Sequence, residues 1–300
     1  PTASEKTETI SGHEAFSFRR ITVGGLAGGH SGLEIHKERG NSNKLLARVL
    51  DDLRQKFPCR LVSMHGGTAA NAIPRESTAK VFIRAGEEEL RKTLDAWAET
   101  FRHELRGADG AGLTITLADA QKAESVLTEE STNRVLAAAL LIPSGIATQR
   151  LVETSNNFAM ILMEEGGVVF QCQTRSSSAS RKNALCRRID VLAAMVGATV
   201  EHSGDYPAWE YNPESRLQPL FEQAYRDLFH KDARVEGIHA GLECGLFAEK
   251  FKKLGHPMDF LSFGPEVTGA HSTKETLSLS SAERSWQLLL EVLRRIGEMK

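Results

Sequence analysis

Gly28-Gly29-His30-Ser31-Gly32-Leu33-Glu34-Ile35-His36, continuing as Lys37-Glu38-Arg39-Gly40-Asn41-Ser42-Asn43-Lys44, is the stretch around which the chain is ordered. Glycines stand on both sides of His30, and apolar Leu33 and Ile35 flank Glu34. Glycine accepts positive φ and allows close approach to its backbone, so an imidazole among glycines can be held in a tight site. Taken alone, a loop histidine is more often a turn residue. A second glycine-bracketed histidine, in Gly264-Pro265-Glu266-Val267-Thr268-Gly269-Ala270-His271-Ser272, strengthens the alternative. Upstream, residues 15–25 alternate apolar and polar side chains as a half-buried strand does. Downstream, residues 43–56 place Leu45, Leu46, Val49, Leu50 and Leu53 on one helical face, with Asn41 as the N-cap.

Working outward, residues 59–64 read as a strand, 65–76 as a loop, 79–84 as a strand and 87–105 as an amphipathic helix. This β-α-β-β-α order predicts an α+β layer, an antiparallel sheet with helices on one face. A related succession follows. It comprises a strand at 113–117, a helix at 132–141 capped by Ser131 or Thr132, and a hairpin of 159–163 with 168–174 through Glu164-Glu165-Gly166-Gly167. A helix at 180–196 then carries Leu185, Ile189, Leu192 and Val196 in one stripe. Two successive sets predict a doubled layer.

Around Ser203-Gly204-Asp205-Tyr206-Pro207-Ala208-Trp209 aromatic, proline and glycine residues cluster, as at a domain crossing. Beyond it come a helix at 217–229, a strand near 234–238, a helix opening at 242–251, a short buried strand at 259–263 and a closing helix at 282–297. That alternation is an α/β pattern, whose strand-end loops carry sites.

Composition narrows the classes. With 300 residues there is enough chain for a sizeable core and more than one domain. A net charge of −2 gives no sign of a nucleic-acid or anionic-membrane surface. No apolar run approaches the roughly 20 residues of a membrane span, and residues 1–14 lack the apolar core of a signal peptide. Cys59, Cys172, Cys186 and Cys244 are scattered without CxxC spacing, so reduced structural thiols and a cytoplasmic location are expected. The chain starts Pro-Thr-Ala-Ser without a methionine and is expected to be a fragment or a processed product.

Several residues could carry chemistry. His271, after a short apolar strand and a Gly-Pro loop, could ligate zinc, act as a base or cap the next element. Arg175, in Gln173-Thr174-Arg175-Ser176-Ser177-Ser178, offers a donor fork suited to a carboxylate, or is a surface arginine at a strand end. Asn71 could offer its amide to a developing oxyanion, or form an Asx-turn ahead of Pro74. Glu243, in Ala240-Gly241-Leu242-Glu243-Cys244-Gly245, could bind a substrate ammonium or cap a helix. His36, His65 and His239 have weaker cases. No HExxH and no Cys/His cluster is present.

The combination says more than its parts. The His30 stretch, Asn71-Ala72-Ile73-Pro74-Arg75-Glu76, Thr174-Arg175-Ser176-Ser177, Ser203 to Trp209, Ile238-His239-Ala240-Gly241-Leu242-Glu243-Cys244-Gly245-Leu246-Phe247 and Phe263 to Ser272 occur in one order. In that order, over nearly the whole chain, they resemble the aminoacyl-histidine (Xaa-His) dipeptidases, a branch of the M20 zinc metallopeptidases. The resemblance implies a lid or dimerisation domain over residues 14–205, and the C-terminal segment of a two-zinc α/β catalytic domain over 206–300. It implies that His271 is a zinc ligand and that His30 stabilises the oxyanion of a tetrahedral intermediate. It further implies that Arg175 grips the substrate carboxylate, that Asn71 faces the site and that Glu243 lines it. The implied cofactor is a pair of zinc ions, with manganese or cobalt as alternatives. The implied partners are a dipeptide and a second copy of the chain, a homodimer through the lid, with no nucleic acid and no membrane.

One departure is large. The family's N-terminal segment normally supplies the remaining zinc ligands and the glutamate base, and no segment here matches it. Zinc needs several ligands, and hydrolysis needs a base for the metal-bound water. The chain alone is therefore expected to be inactive. The alternative is a non-catalytic dimerisation or peptide-binding module that keeps the lid and lacks the metal site.

Overall fold

The computed structural model describes residues 2–3, 6–9, 16–147, 152–164, 167–207, 209, 211–235, 242–268 and 275–298. These residues divide between two compact units, Pro1–Asp205 and Tyr206–Lys300. In the first unit the strands are β1 (Thr2–Ala3), β2 (Thr7–Thr9), β3 (Ser17–Gly24), β4 (Gly29–His30), β5 (Cys59–Gly66), β6 (Ala72–Ile73), β7 (Ser77–Ile83), β8 (Thr114–Asp119), β9 (Ser125–Leu127), β10 (Gly145–Ile146), β11 (Thr154–Glu164) and β12 (Gly167–Ser176). Its helices are α1 (Ser42–Lys56), α2 (Glu87–Glu104), α3 (Glu129–Leu141) and α4 (Ala179–Met195).

Strand alternation produces the core. Ile21 and Val23 of β3, Leu61 and Met64 of β5, and Ala79, Val81 and Ile83 of β7 are buried on one face. Leu46, Leu50 and Leu53 of α1, Leu90, Leu94 and Phe101 of α2, Val135 and Leu136 of α3 and Leu192 of α4 join them in one cluster. Each fully buried Leu or Ile contributes about 1.5–3 kcal/mol relative to exposure. The expected antiparallel layer with helices on one face is present, but the doubling is corrected. Both successions enter one eight-stranded antiparallel sheet, ordered β1-β12-β11-β5-β7-β3-β8, with β10 beside β11.

The two successions meet where β11 lies beside β5, and backbone pairing at that seam is thin, a single pair at Ile161 and Gly66. Side chains from the start of α1 do most of the joining. The register of β11 against β12 slips between Phe158 and Met160, which turns the Phe158 and Ala159 carbonyls out of the ladder. Asn43 Nδ2 donates to both, at 3.1 and 3.3 Å, and Asn41 Nδ2 donates to Phe158 O at 3.0 Å. Asn43 Oδ1 accepts from Ser77 Oγ of β7 at 2.5 Å, so one buried amide ties three elements together. Gly66 has no substitute here, because a Cβ would collide with Asn43 Oδ1 and Ser77 Oγ. Lys44 Nζ caps α3 by donating to Ala139 O (2.9 Å), Ile142 O (2.8 Å) and Leu140 O. Burial pushes its ammonium down to about 8. Asn43→Ala should therefore lower stability by about 2 kcal/mol, since the Ala159 carbonyl loses its side-chain donor while Phe158 O and Ser77 Oγ each lose one of two partners. Urea unfolding measures this, and an unchanged midpoint would refute the seam.

Asn41 caps α1 as expected, its side chain accepting from Lys44 N. The cap of α3 is a correction: it is Thr128, whose side chain accepts from Ser131 N. Ser131 and Thr132 lie inside the helix, buried, and their hydroxyls accept from Lys6 N and Leu61 N. Glu129 and Glu130 follow Thr128, suiting a helix N-terminus, which favours negative charge. The hairpin forms, while its turn at 165–166 lies outside the described residues.

In the second unit, α5 (Leu217–Phe229), α6 (Glu243–Lys253), β13 (Val267–Thr268), β14 (Thr276–Leu277) and α7 (Leu279–Glu298) appear in that order. Ala224 of α5 and Leu288 and Val292 of α7 form its small buried cluster, with Phe221, Tyr225 and Phe229 packed against it. The buried strand expected at 259–263 is not one. Asp259 Oδ2 there accepts from Ser215 Oγ and from the amides of Arg216 and Leu217, so the segment closes the start of α5. Phe263 is exposed. A strand needs a ladder partner, and no described strand pairs with this segment. Residues 234–235 are irregular, and the rest of the strand expected near 234–238 lies outside the described residues.

Candidate functional site

Three of the residues singled out in the sequence meet on the face of the sheet away from the helices. On β12, Val168 and Phe170 point into the core, so alternation turns Gln173 and Arg175 to the opposite side. There β4 and β6 pair as a short ribbon, Gly29 with Ile73 and His30 with Ala72. Asn157 of β11, opposite Gln173, holds that ribbon by donating to Ala72 O at 2.7 Å and Ala70 O at 3.4 Å. Asn71 sits exposed on the turn entering β6, and its carbonyl accepts from Ser31 N at 2.8 Å.

His30 is half-buried and held at both ends. Its ring Nδ1 accepts from Gly32 N and Leu33 N, each at 3.1 Å. Both of those groups are amides and can only donate, so the neutral ring carries its proton on Nε2. Its backbone amide donates to Glu34 Oε2 at 3.0 Å. Gly29 requires glycine: its φ is +140°, and a Cβ would lie 2.6 Å from Glu34 Oε2.

Glu34 is the post of this loop. Lys37 Nζ lies 2.7 Å and Arg39 Nη2 3.1 Å from its Oε1, and Arg39 also donates to Gly28 O. The Lys37 ammonium first, then the His30 amide and Arg39, hold its carboxyl down at about 2. Because this folded value lies below the ordinary 4.5, the stabilisation is complete above 4.5 and is lost as pH falls towards about 2. In Glu34→Gln, the stability deficit relative to the parent should be about 1 kcal/mol near neutrality, given solvent screening, and should shrink across that window. Urea midpoints measured across the window check this, and a deficit independent of pH would contradict it.

Arg175 completes the cluster. Its Nη2 donates to Gln173 Oε1 at 3.1 Å, and Ser31 Oγ donates to the same oxygen at 3.1 Å. Burial lowers its guanidinium below the ordinary value, and no carboxylate among the described residues opposes that. Its Nε is buried without a hydrogen-bond partner among the described residues. A half-buried guanidinium with no counterion among the described residues is suited to receive an anion.

Other expected residues are not brought into this cluster. Glu243 is exposed in the first turn of α6, where a carboxylate suits the helix dipole. His271 and His239 lie outside the described residues. Among the described residues no three His, Cys, Asp or Glu side chains gather as a metal needs, so this set does not fit the two-zinc centre the resemblance implies. His36 and His65 are exposed. Sequence reading missed Gln173, Ser31 and Asn157 as members of the site. The one available signal was the two-residue spacing of Gln173 and Arg175 on a strand.

Comparison with known proteins supplies the context. Residues 21–109 match the model of the M20 family's peptidase dimerisation domain. The cytosol non-specific dipeptidase of Escherichia coli (strain K12) is 34% identical over 291 residues, covering 95% of this chain and 58% of that protein. The crystal structure of aminoacylhistidine dipeptidase from Vibrio alginolyticus superposes with a TM-score of 0.89 at 31% identity, covering 98% of this chain and 60% of that one. The chain thus spans about three fifths of the length of these relatives.

Proposed function

This chain is a relative of the M20-family dipeptidases, and from that premise we propose that it is the lid and C-terminal catalytic segment of a metal-dependent dipeptidase. The observation that carries this reading is that Ser31, the residue after His30, is bonded to Gln173 beside Arg175 and to the Asn71 carbonyl, which gathers the three residues on one face. It offers a neutral imidazole donor and an uncompensated guanidinium, which a free dipeptide needs for its scissile carbonyl and its C-terminal carboxylate. The dipeptidase relatives favour this over a module that only binds or dimerises.

In the proposed roles, His30 Nε2–H donates to the carbonyl oxygen as negative charge develops on it. Arg175 holds the terminal carboxylate, which favours dipeptides over longer chains because the charge must lie one residue beyond the scissile bond. Asn71 borders the substrate. In the second unit, His271 is proposed as a zinc ligand and Glu243 as a pocket residue. Zinc, or manganese or cobalt in its place, would supply the activated water. Because the described residues do not fit a metal pair, their own contribution is the pair of contacts made by His30 and Arg175.

Residues 206–300 are assigned to the catalytic domain and 14–205 to the lid. Leu279, Trp286, Leu290 and Leu293 of α7 are exposed, an apolar surface of the kind another part of a longer protein covers. No helix among the described residues is long and apolar enough to cross a membrane. We place the protein in the cytosol, where its Escherichia coli relative is named, and as a homodimer through the matched dimerisation domain. The test is metal content and Xaa-His hydrolysis, with the 300-residue chain and a relative-length protein compared. Two tightly held zinc ions and turnover are expected in the longer protein alone. Both in the 300-residue chain, or neither in the longer protein, would overturn the reading.

A further inference from the structure

Gln173 stands between the two groups to which the function is assigned. Its Oε1 receives Ser31 Oγ and Arg175 Nη2, both at 3.1 Å. That atom must be the oxygen of the amide, because a guanidinium has no acceptor and whatever faces it must accept. The serine hydroxyl is buried, and Ser31 directly follows His30. The serine amide is fixed in turn by Asn71 O. One oxygen therefore meets both the arginine fork and the residue that follows the histidine.

The chemistry of that oxygen matters as much as its position. A half-buried arginine ordinarily meets Asp or Glu, and elsewhere in this chain Arg48 meets Glu104 and Arg60 meets Glu129. Here the acceptor is a neutral amide, and Arg175 makes no ion pair among the described residues. A carboxylate at position 173 would aim the fork as well, but it would consume the charge that attracts a second anion. An apolar side chain would leave the charge but not the aim.

We propose that Gln173 is a positioning residue that presents Arg175, with its charge uncompensated, to a carboxylate ligand and locks it to the loop carrying His30. This rests on the carboxylate-binding role of Arg175 given above. Gln173 acts through Arg175 and Ser31 and touches no reacting atom. It couples strand β12, which carries the guanidinium, to the loop that carries the imidazole.

The test uses the 300-residue chain labelled with nitrogen-15, and acetate as the carboxylate probe. The Arg175 Nε–H signal, assigned by its loss in Arg175→Lys, and the Ser31 amide signal are followed in the parent, Gln173→Glu and Gln173→Met. Acetate is expected to move the Arg175 signal of the parent. Gln173→Glu, nearly isosteric, should weaken that response at least tenfold. Gln173→Met should shift the Ser31 amide and weaken acetate binding severalfold with the arginine charge intact. No acetate response in the parent would overturn the carboxylate role of Arg175 itself. A normal parent response that Gln173→Glu leaves within twofold would overturn the role of Gln173 alone. Should Gln173→Glu fail to fold, an unmoved Ser31 amide and unchanged acetate affinity in Gln173→Met would do the same.

Discussion

His30→Ala is expected to lower kcat of the proposed relative-length dipeptidase by about 10²–10³-fold without loss of its metal, the effect of removing one donor to a developing oxyanion. The expectation follows from how the ring is held. Two backbone amides occupy Nδ1, so the neutral imidazole carries its proton on Nε2 as a hydrogen-bond donor. Glu34 and the glycine at position 29 fix the backbone that carries the ring, so its position costs little reorganisation in the transition state. A loss confined to kcat distinguishes this role from ground-state binding, which would raise KM instead. His30→Gln, which keeps a donor on a longer side chain, should recover part of the rate. Steady-state kinetics with metal analysis decides it, and an unchanged kcat would remove His30 from the chemistry.

Much of the fold was legible because its signals are local. The 3.6-residue spacing of Leu46, Leu50 and Leu53 fixed α1, and Asn41 is its cap because a short polar side chain ahead of an apolar run has few better uses. Alternation found β3 and β7 within two residues of their ends. What could not be read was how the two successions join. The seam of β11 on β5 depends on a bulge and on Asn43 reaching carbonyls more than 100 positions away, and no periodicity encodes such a contact. The start of α3 was misplaced because two serine/threonine candidates stood inside the helix, where their hydroxyls serve long-range bonds. Residues 259–263 look like a strand by composition, yet Asp259 is committed to the start of α5.

The site was legible in a different sense. Residue type left His30, Asn71 and Arg175 each with a plainer alternative, and only their joint order resembled a family. The structure places these three on one face, and it adds the polar residues that hold them there, which sequence passes over because a glutamine or a serine on a strand or turn is common. In the sequence Glu34 is only a carboxylate flanked by Leu33 and Ile35. Its function as the post of the loop depends on Lys37 and Arg39 converging on one oxygen.

The central claim is that this face of the lid recognises a free dipeptide by its terminal carboxylate through Arg175. A charged, hydrogen-bonded pair of this kind contributes about 2–5 kcal/mol when one partner is removed, at the lower end for a half-buried group. The measurement is kcat/KM of the relative-length enzyme for an Xaa-His dipeptide and for its C-terminal amide, in the parent and in Arg175→Met. The parent should prefer the acid by roughly a hundredfold, a difference of about 2.7 kcal/mol. Arg175→Met should lose nearly all of that preference, chiefly through KM for the acid, while its activity on the amide stays within a few-fold. A variant that still prefers the acid by the parental ratio would contradict the account.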